Sequence, residues 1–175
     1  LECGSPRCDI LLNKNNYKNI KKKIYKYFKL ESNTNVLLYA PTFRFNSNTD
    51  VYDIDYYQLL TILEERFGGN WVIFIRFHPI ITEISNFIKY NDRIINTTYY
   101  DDMYELLTIA NILITDYSST MFEFAMTLKP VFLYAKDIIE YKNDRDFYFN
   151  INSLPFEVAE NNNELFNDII SFNEN

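Results

Sequence analysis

Residues 17–28 place Ile20, Ile24, Tyr27 and Phe28 at three- and four-residue intervals among lysines, the spacing that gives a helix one apolar stripe. Residues 56–67 repeat the pattern through Tyr56, Leu59, Leu60, Leu63 and Phe67, and Gly68-Gly69-Asn70 stops it. Two other stretches have no such period. Residues 36–40 are a short apolar run closed by Pro41, and residues 71–77 are apolar except for Arg76. Continuous runs of this length suit strands covered on both faces.

The same reading predicts a helix over residues 82–90, a short strand over 93–96 and a helix over 103–110. A strand at 112–115, a helix at 119–128 and a strand at 131–134 follow. Asn161-Asn162-Asn163 then supplies a cap for a closing helix at 164–172. Strands and helices alternate with short connections, which predicts an α/β fold, a Rossmann-like parallel sheet with helices on both faces. Residues 46–50 read as a polar loop and 142–146 as a solvated one. Residues 1–13, with Gly4-Ser5-Pro6-Arg7, read as an irregular linker entering a single domain of residues 14–175.

At 175 residues the chain suits one domain with a real core, and no initiating Met precedes Leu1, as expected of a piece of something longer. Its 17 Lys and Arg against 24 Asp and Glu argue against a general nucleic-acid binder, so a phosphate ligand would need a local cluster. Cys3 and Cys8 with a single His support neither a disulfide framework nor a metal site, and a reducing, cytoplasmic setting is the simpler expectation. No apolar stretch approaches the ~20 residues of a membrane span.

In a parallel sheet, ligands bind beyond the carboxyl ends of the strands. Three predicted strand ends carry polar residues: Thr42 and Arg44 after the first, Arg76 and His78 closing the second, and Asp116, Ser118, Ser119 and Thr120 after the strand at 112–115. Two guanidinium groups, an imidazole and a hydroxyl-rich helix start on one edge would suit a pyrophosphate. Each has an ordinary structural role as well. Ser118 or Ser119 can be a helix cap, Asp116 can brace its turn, and Glu123 can face the helix dipole or accept from ribose hydroxyls. Neither a nucleotide P-loop nor a Gly-rich dinucleotide fingerprint is present, and only three glycines occur.

Four segments in order, Leu38-Tyr39-Ala40-Pro41-Thr42-Phe43-Arg44, Arg76-Phe77-His78-Pro79, Ile114-Thr115-Asp116-Tyr117-Ser118-Ser119 and Asp144-Arg145-Asp146-Phe147-Tyr148-Phe149, resemble the CDP-glycerol glycerophosphotransferase family of teichoic acid and capsule polymerases. The resemblance implies the C-terminal, nucleotide-binding lobe of a GT-B architecture. It implies transfer of polyol phosphate from CDP-glycerol or CDP-ribitol to an acceptor hydroxyl, with release of CMP and no cofactor. By the same resemblance His78 and residues 116–120 meet the donor phosphates, His78 is the catalytic candidate, Arg44 and Arg76 offset phosphate charge, and Glu123 meets the ribose. A polymer or lipid-linked acceptor would sit on the lobe that is absent here, with the parent enzyme at the inner face of the cell membrane. Two further readings stay open: a GT-B lobe using a nucleotide sugar, and a nucleotide-binding module without catalysis.

Overall fold

The computed structural model describes residues 5–44, 49–78, 88–144 and 150–173. A short helix α1 (Asp9–Leu12) leads into α2 (Lys14–Tyr27), whose first turn is capped where the Asn13 side chain accepts from the Asn15 N–H at 3.1 Å. Strand β1 (Asn35–Tyr39) follows, then α3 (Tyr56–Phe67), capped by Asp55, then β2 (Trp71–Ile75). Gly68 and Gly69 separate α3 from β2 at φ 68° and 73°, backbone that glycine adopts without strain. Strand β3 (Ile94–Asn96), α4 (Met103–Ile109), β4 (Ile112–Thr115), α5 (Thr120–Ala125) and β5 (Val131–Tyr134) come next. Helix α6 (Ile138–Asp144), strand β6 (Glu157–Ala159) and α7 (Asn162–Ser171) complete the chain.

The six strands are all parallel in the order β3-β2-β1-β4-β5-β6. The order reverses direction between β1 and β4, and that switch point is where a crevice opens at the carboxyl edge. Because side chains alternate across a strand, Leu37, Tyr39, Ile73, Ile75, Ile112 and Ile114 pack on one face with Leu59 and Leu63 of α3 and Leu165 and Ile169 of α7. Val36, Leu38, Val72, Phe74 and Leu113 pack on the other with Ile20 and Ile24 of α2 and Leu106 and Leu107 of α4. Ile24 is fully buried, so truncating it to alanine would cost about 2–5 kcal/mol.

Several boundaries differ from the sequence reading. Residues 6–12, expected to be irregular, form a 3-10 turn and α1, with Cys8 buried. Strand β2 ends at Ile75, so Arg76 lies past the strand rather than within it. Helix α5 stops at Ala125, because Thr127 and Leu128 donate to Phe124 and Ala125, three residues back, and Leu128 turns to φ 59°. Helix α6 runs through residues 142–144, expected as loop, and β6 was not expected. Of the helix expected at 82–90, residues 88–90 are not helical and the rest lies outside the described residues, as do 145 and 146.

Candidate functional site

The loops after β1 and β4 are stapled together at the switch point. Ala40 donates its N–H to Ile114 O at 3.0 Å, and Thr115 Oγ1 donates to Ala40 O at 2.7 Å. Pro41 ends the strand, and Thr42 then gives both its N–H (2.9 Å) and its hydroxyl (2.9 Å) to the buried Asp116 carboxylate. Asp116 also accepts from the Tyr117 N–H at 2.6 Å and faces Arg44 Nη2 at 3.0 Å.

Arg44 is the centre of this cluster. Its Nε and Nη2 form a two-pronged bond to Asp137 at 2.6 and 2.9 Å, and Nη1 donates to Thr42 O (2.9 Å) and Thr42 Oγ1 (2.5 Å). The guanidinium lies 4.9 Å from the Tyr117 ring and 5.2 Å from the Tyr141 ring, and these two rings stack at 3.8 Å. Tyr117 Oη donates to Asp137 at 3.0 Å, and Tyr52 Oη to Thr42 O at 3.0 Å. Burial pushes the Asp116 carboxyl above its ordinary value, against the pull of Arg44 and Thr42. Burial acts on Asp137 the same way, but hydrogen bonds and charge from Arg44 outweigh it and leave Asp137 below the usual range. Burial would lower the Arg44 pKa, yet its two carboxylate partners raise it, so it stays charged.

One guanidinium between two carboxylates leaves no excess positive charge for a phosphate. Arg44 and Asp116, expected as donor-phosphate contacts, are thus engaged with each other and with Thr42. What the cluster does is fix the turn that follows β4. In that turn Ser118 Oγ donates to Thr120 Oγ1 at 2.8 Å and accepts from the Thr120 N–H at 3.3 Å, while Ser119, at the N-cap position of α5, makes no side-chain cap bond and is exposed. Among the described residues the N–H groups of Ser118 and Ser119 have no protein acceptor. These two donors sit beside a backbone held from below by Asp116.

The other candidates occupy separate places on the same edge. Arg76 Nη1 donates to Thr97 O at 3.0 Å and to Tyr100 O, so it ties β2 to the segment after β3, and burial lowers its pKa. His78 is exposed, with its ring 5.2 Å from that of Phe43, between Thr42 and Arg44 in sequence. Glu123, one turn into α5, accepts from Tyr104 Oη at 2.8 Å and lies 3.6 Å from Arg7 Nη2. That places the segment before α1 against the same edge, with the Arg7 guanidinium 5.6 Å from the Tyr104 ring.

The sequence reading gave Asp137, Tyr52, Tyr104, Arg7 and Tyr117 no role of their own in the site. Asp137 was findable, because Lys136 and Asp137 follow β5 as Asp116 follows β4. Tyr52 carried no signal, since it reaches the site from a 3-10 turn far from any strand end.

The profile of the family described as CDP-Glycerol:Poly(glycerophosphate) glycerophosphotransferase matches residues 1–175. The chain belongs to this family. The teichoic acid poly(glycerol phosphate) polymerase of Staphylococcus epidermidis is 35% identical over 153 residues, covering 86% of this chain and 21% of that protein. The teichoic acid ribitol-phosphate primase of Bacillus spizizenii is 29% identical over 178 residues, covering 99% of this chain and 45% of that protein. Among solved structures, the wall teichoic acid polymerase TagF matches with a TM-score of 0.76 and 34% identity, over 98% of this chain and 42% of the TagF chain. The chain therefore spans less than half the length of these relatives. Among its described residues no helix is long and apolar enough to cross a membrane.

Proposed function

We propose that this lobe holds the pyrophosphate of a CDP-activated polyol, CDP-glycerol or CDP-ribitol, against the turn at residues 118–120 and His78. The observation that carries this reading is the pair of N–H groups at Ser118 and Ser119 that have no acceptor among the described residues, on a backbone fixed by the Thr42–Asp116–Arg44–Asp137 cluster in a chain of this family. Relatives are named as polymerases or primases of glycerol and ribitol phosphate, and TagF has been soaked with CDPG, which supports the donor class. Thr120 offers a hydroxyl, Arg76 a nearby positive charge, and Glu123 an acceptor for ribose hydroxyls. Thr42, Arg44 and Asp116 act by positioning.

In the whole protein, the acceptor hydroxyl oxygen forms a new bond to the polyol-bearing phosphorus as the bond to the CMP oxygen breaks. The hydroxyl proton passes to a base, and CMP leaves with the negative charge. His78 either donates to the leaving phosphate or takes that proton. The enzyme would gain mainly from orientation and from fixed donors aimed at the phosphate oxygens. A second lobe would supply the polymer or lipid-linked acceptor, at the inner face of the cell membrane.

Titration calorimetry tests this with CDP-glycerol, CDP-ribitol and a UDP-sugar. Binding of a CDP-polyol over the UDP-sugar is expected. Preference for the UDP-sugar would make the lobe a sugar transferase, and binding of none of them would remove the donor role. Replacing His78 by Ala should weaken donor binding severalfold without lowering stability, and an unchanged affinity would take His78 out of the site.

A further inference from the structure

Seven of the chain's 17 basic residues fall within residues 14–29, which contain no Asp or Glu, while the remainder carries ten basic against 24 acidic residues. This charge is concentrated on one side of α2. The apolar stripe of α2, through Ile20 and Ile24, is buried against the sheet, and Lys23 is paired with Glu105 at 2.7 Å. Lys18, Lys21, Lys22 and Lys26 have no carboxylate within ion-pair distance among the described residues. With Lys29 they line a groove of about 610 Å³ that also takes in Tyr17 and Tyr25.

The uncompensated charge leaves its mark on the neighbours. Lys21 lies over the Tyr25 ring at 4.7 Å. Lys129, 6.0 Å from the Tyr17 ring, is pushed down to about 8 by burial and then by repulsion from Lys21. An anion in the groove would relieve this repulsion. From Lys18 to Lys26 the stripe extends for ~12 Å along the helix, longer than a single phosphate needs. A stripe of this length matches an extended anion with repeated charges better than a single phosphate.

We propose that the lysine groove of α2 binds the poly(polyol phosphate) chain itself, away from the donor turn, so that a growing acceptor stays attached between transfers. This rests on the polyol-phosphate reading above, because a polymer with one phosphodiester per repeat is the polyanion such an enzyme would handle. A membrane surface suits the site less well. The apolar stripe that would enter lipid is turned into the core.

Fluorescence anisotropy with end-labelled poly(glycerol phosphate) tests the proposal on the full chain. Native protein should bind, binding should fall as salt rises, and glycerol 3-phosphate at equal phosphate concentration should compete poorly. The combined variant Lys18→Gln, Lys21→Gln, Lys22→Gln and Lys26→Gln should bind the polymer at least tenfold more weakly, with its CDP-glycerol affinity unchanged and its urea midpoint not lowered. Equal polymer binding by this variant would overturn the proposal. So would native protein that ignores the polymer but sediments with phosphatidylglycerol vesicles, which would assign the face to a membrane. CDP-glycerol affinity, read separately, keeps a failure of the donor reading apart from a failure of this one.

Discussion

Substituting Arg44 by Met tests whether the cluster at the switch point is a structural brace. The side chain is 8% exposed and holds two carboxylates and two acceptors of Thr42. Removing it leaves Asp116, itself 1% exposed, and Asp137 with uncompensated negative charge. Breaking a buried pair by deleting one partner costs about 3–5 kcal/mol, far above the ~1 kcal/mol ceiling of an exposed pair. With a urea dependence of about 2 kcal/mol per molar for a domain of this size, the midpoint should fall by roughly 1.5–2.5 M. Trp71, the one tryptophan and 4% exposed at the start of β2, reports unfolding by fluorescence. If Arg44→Met lies near the edge of stability, Asp137→Asn and the double variant complete a cycle whose coupling should exceed about 1 kcal/mol. A midpoint shift under about 0.5 M would refute the brace. So would Arg44→Lys losing CDP-glycerol affinity at an unchanged midpoint, which would put Arg44 on the ligand instead.

Three further outcomes follow from the same geometry. Ser119 has φ −57°, which proline accepts, so Ser119→Pro should remove one N–H donor and weaken CDP-glycerol binding about tenfold or more with stability largely kept; an unchanged affinity would discard that N–H as a phosphate contact. Lys129 is a base whose folded pKa, about 8, lies below its ordinary 10.5, so between those values the unfolded chain binds a proton that the folded chain does not. Stability should therefore rise with pH across that window, by up to about 1.4 kcal/mol per unit, and native and Lys129→Met proteins of parallel slope would contradict it. Asp137 is the opposite case, a carboxyl held below 3.8, whose contribution is present above that value and is lost as pH falls through its folded pKa; Asp137→Asn should flatten the acid limb of the urea-midpoint curve.

The sequence alone determined the layers and the edge on which the polar strand-end residues gather. Apolar runs at β1, β2, β4 and β5 cannot be satisfied except by cover on both faces, and the amphipathic stripes of α2, α3 and α7 supply that cover. Periodicity is a local property, so it was legible from residues a few positions apart. It missed β6, where only Ala159 is buried and no alternation develops, and it ran α5 three residues too long because nothing local marks Leu128 as the turn. The polar residues at three strand ends were also legible. Which of them face a ligand was not.

Only the tertiary structure decided that Arg44 bridges Asp116 and Asp137, residues 72 and 93 positions away in sequence, rather than projecting as a free cation. The physical reason is that charge pairing depends on which strands are neighbours. The order β1-β4-β5 sets the loops after these strands side by side, so the positive charge of one is neutralised by the negative charges of the others. Likewise the lysines of α2 could be counted in the sequence, but which of them find a carboxylate among the described residues, as Lys23 does in Glu105, depended on what α2 packs against. Local pattern sets the elements, and the pairing of charges across them waits on the fold.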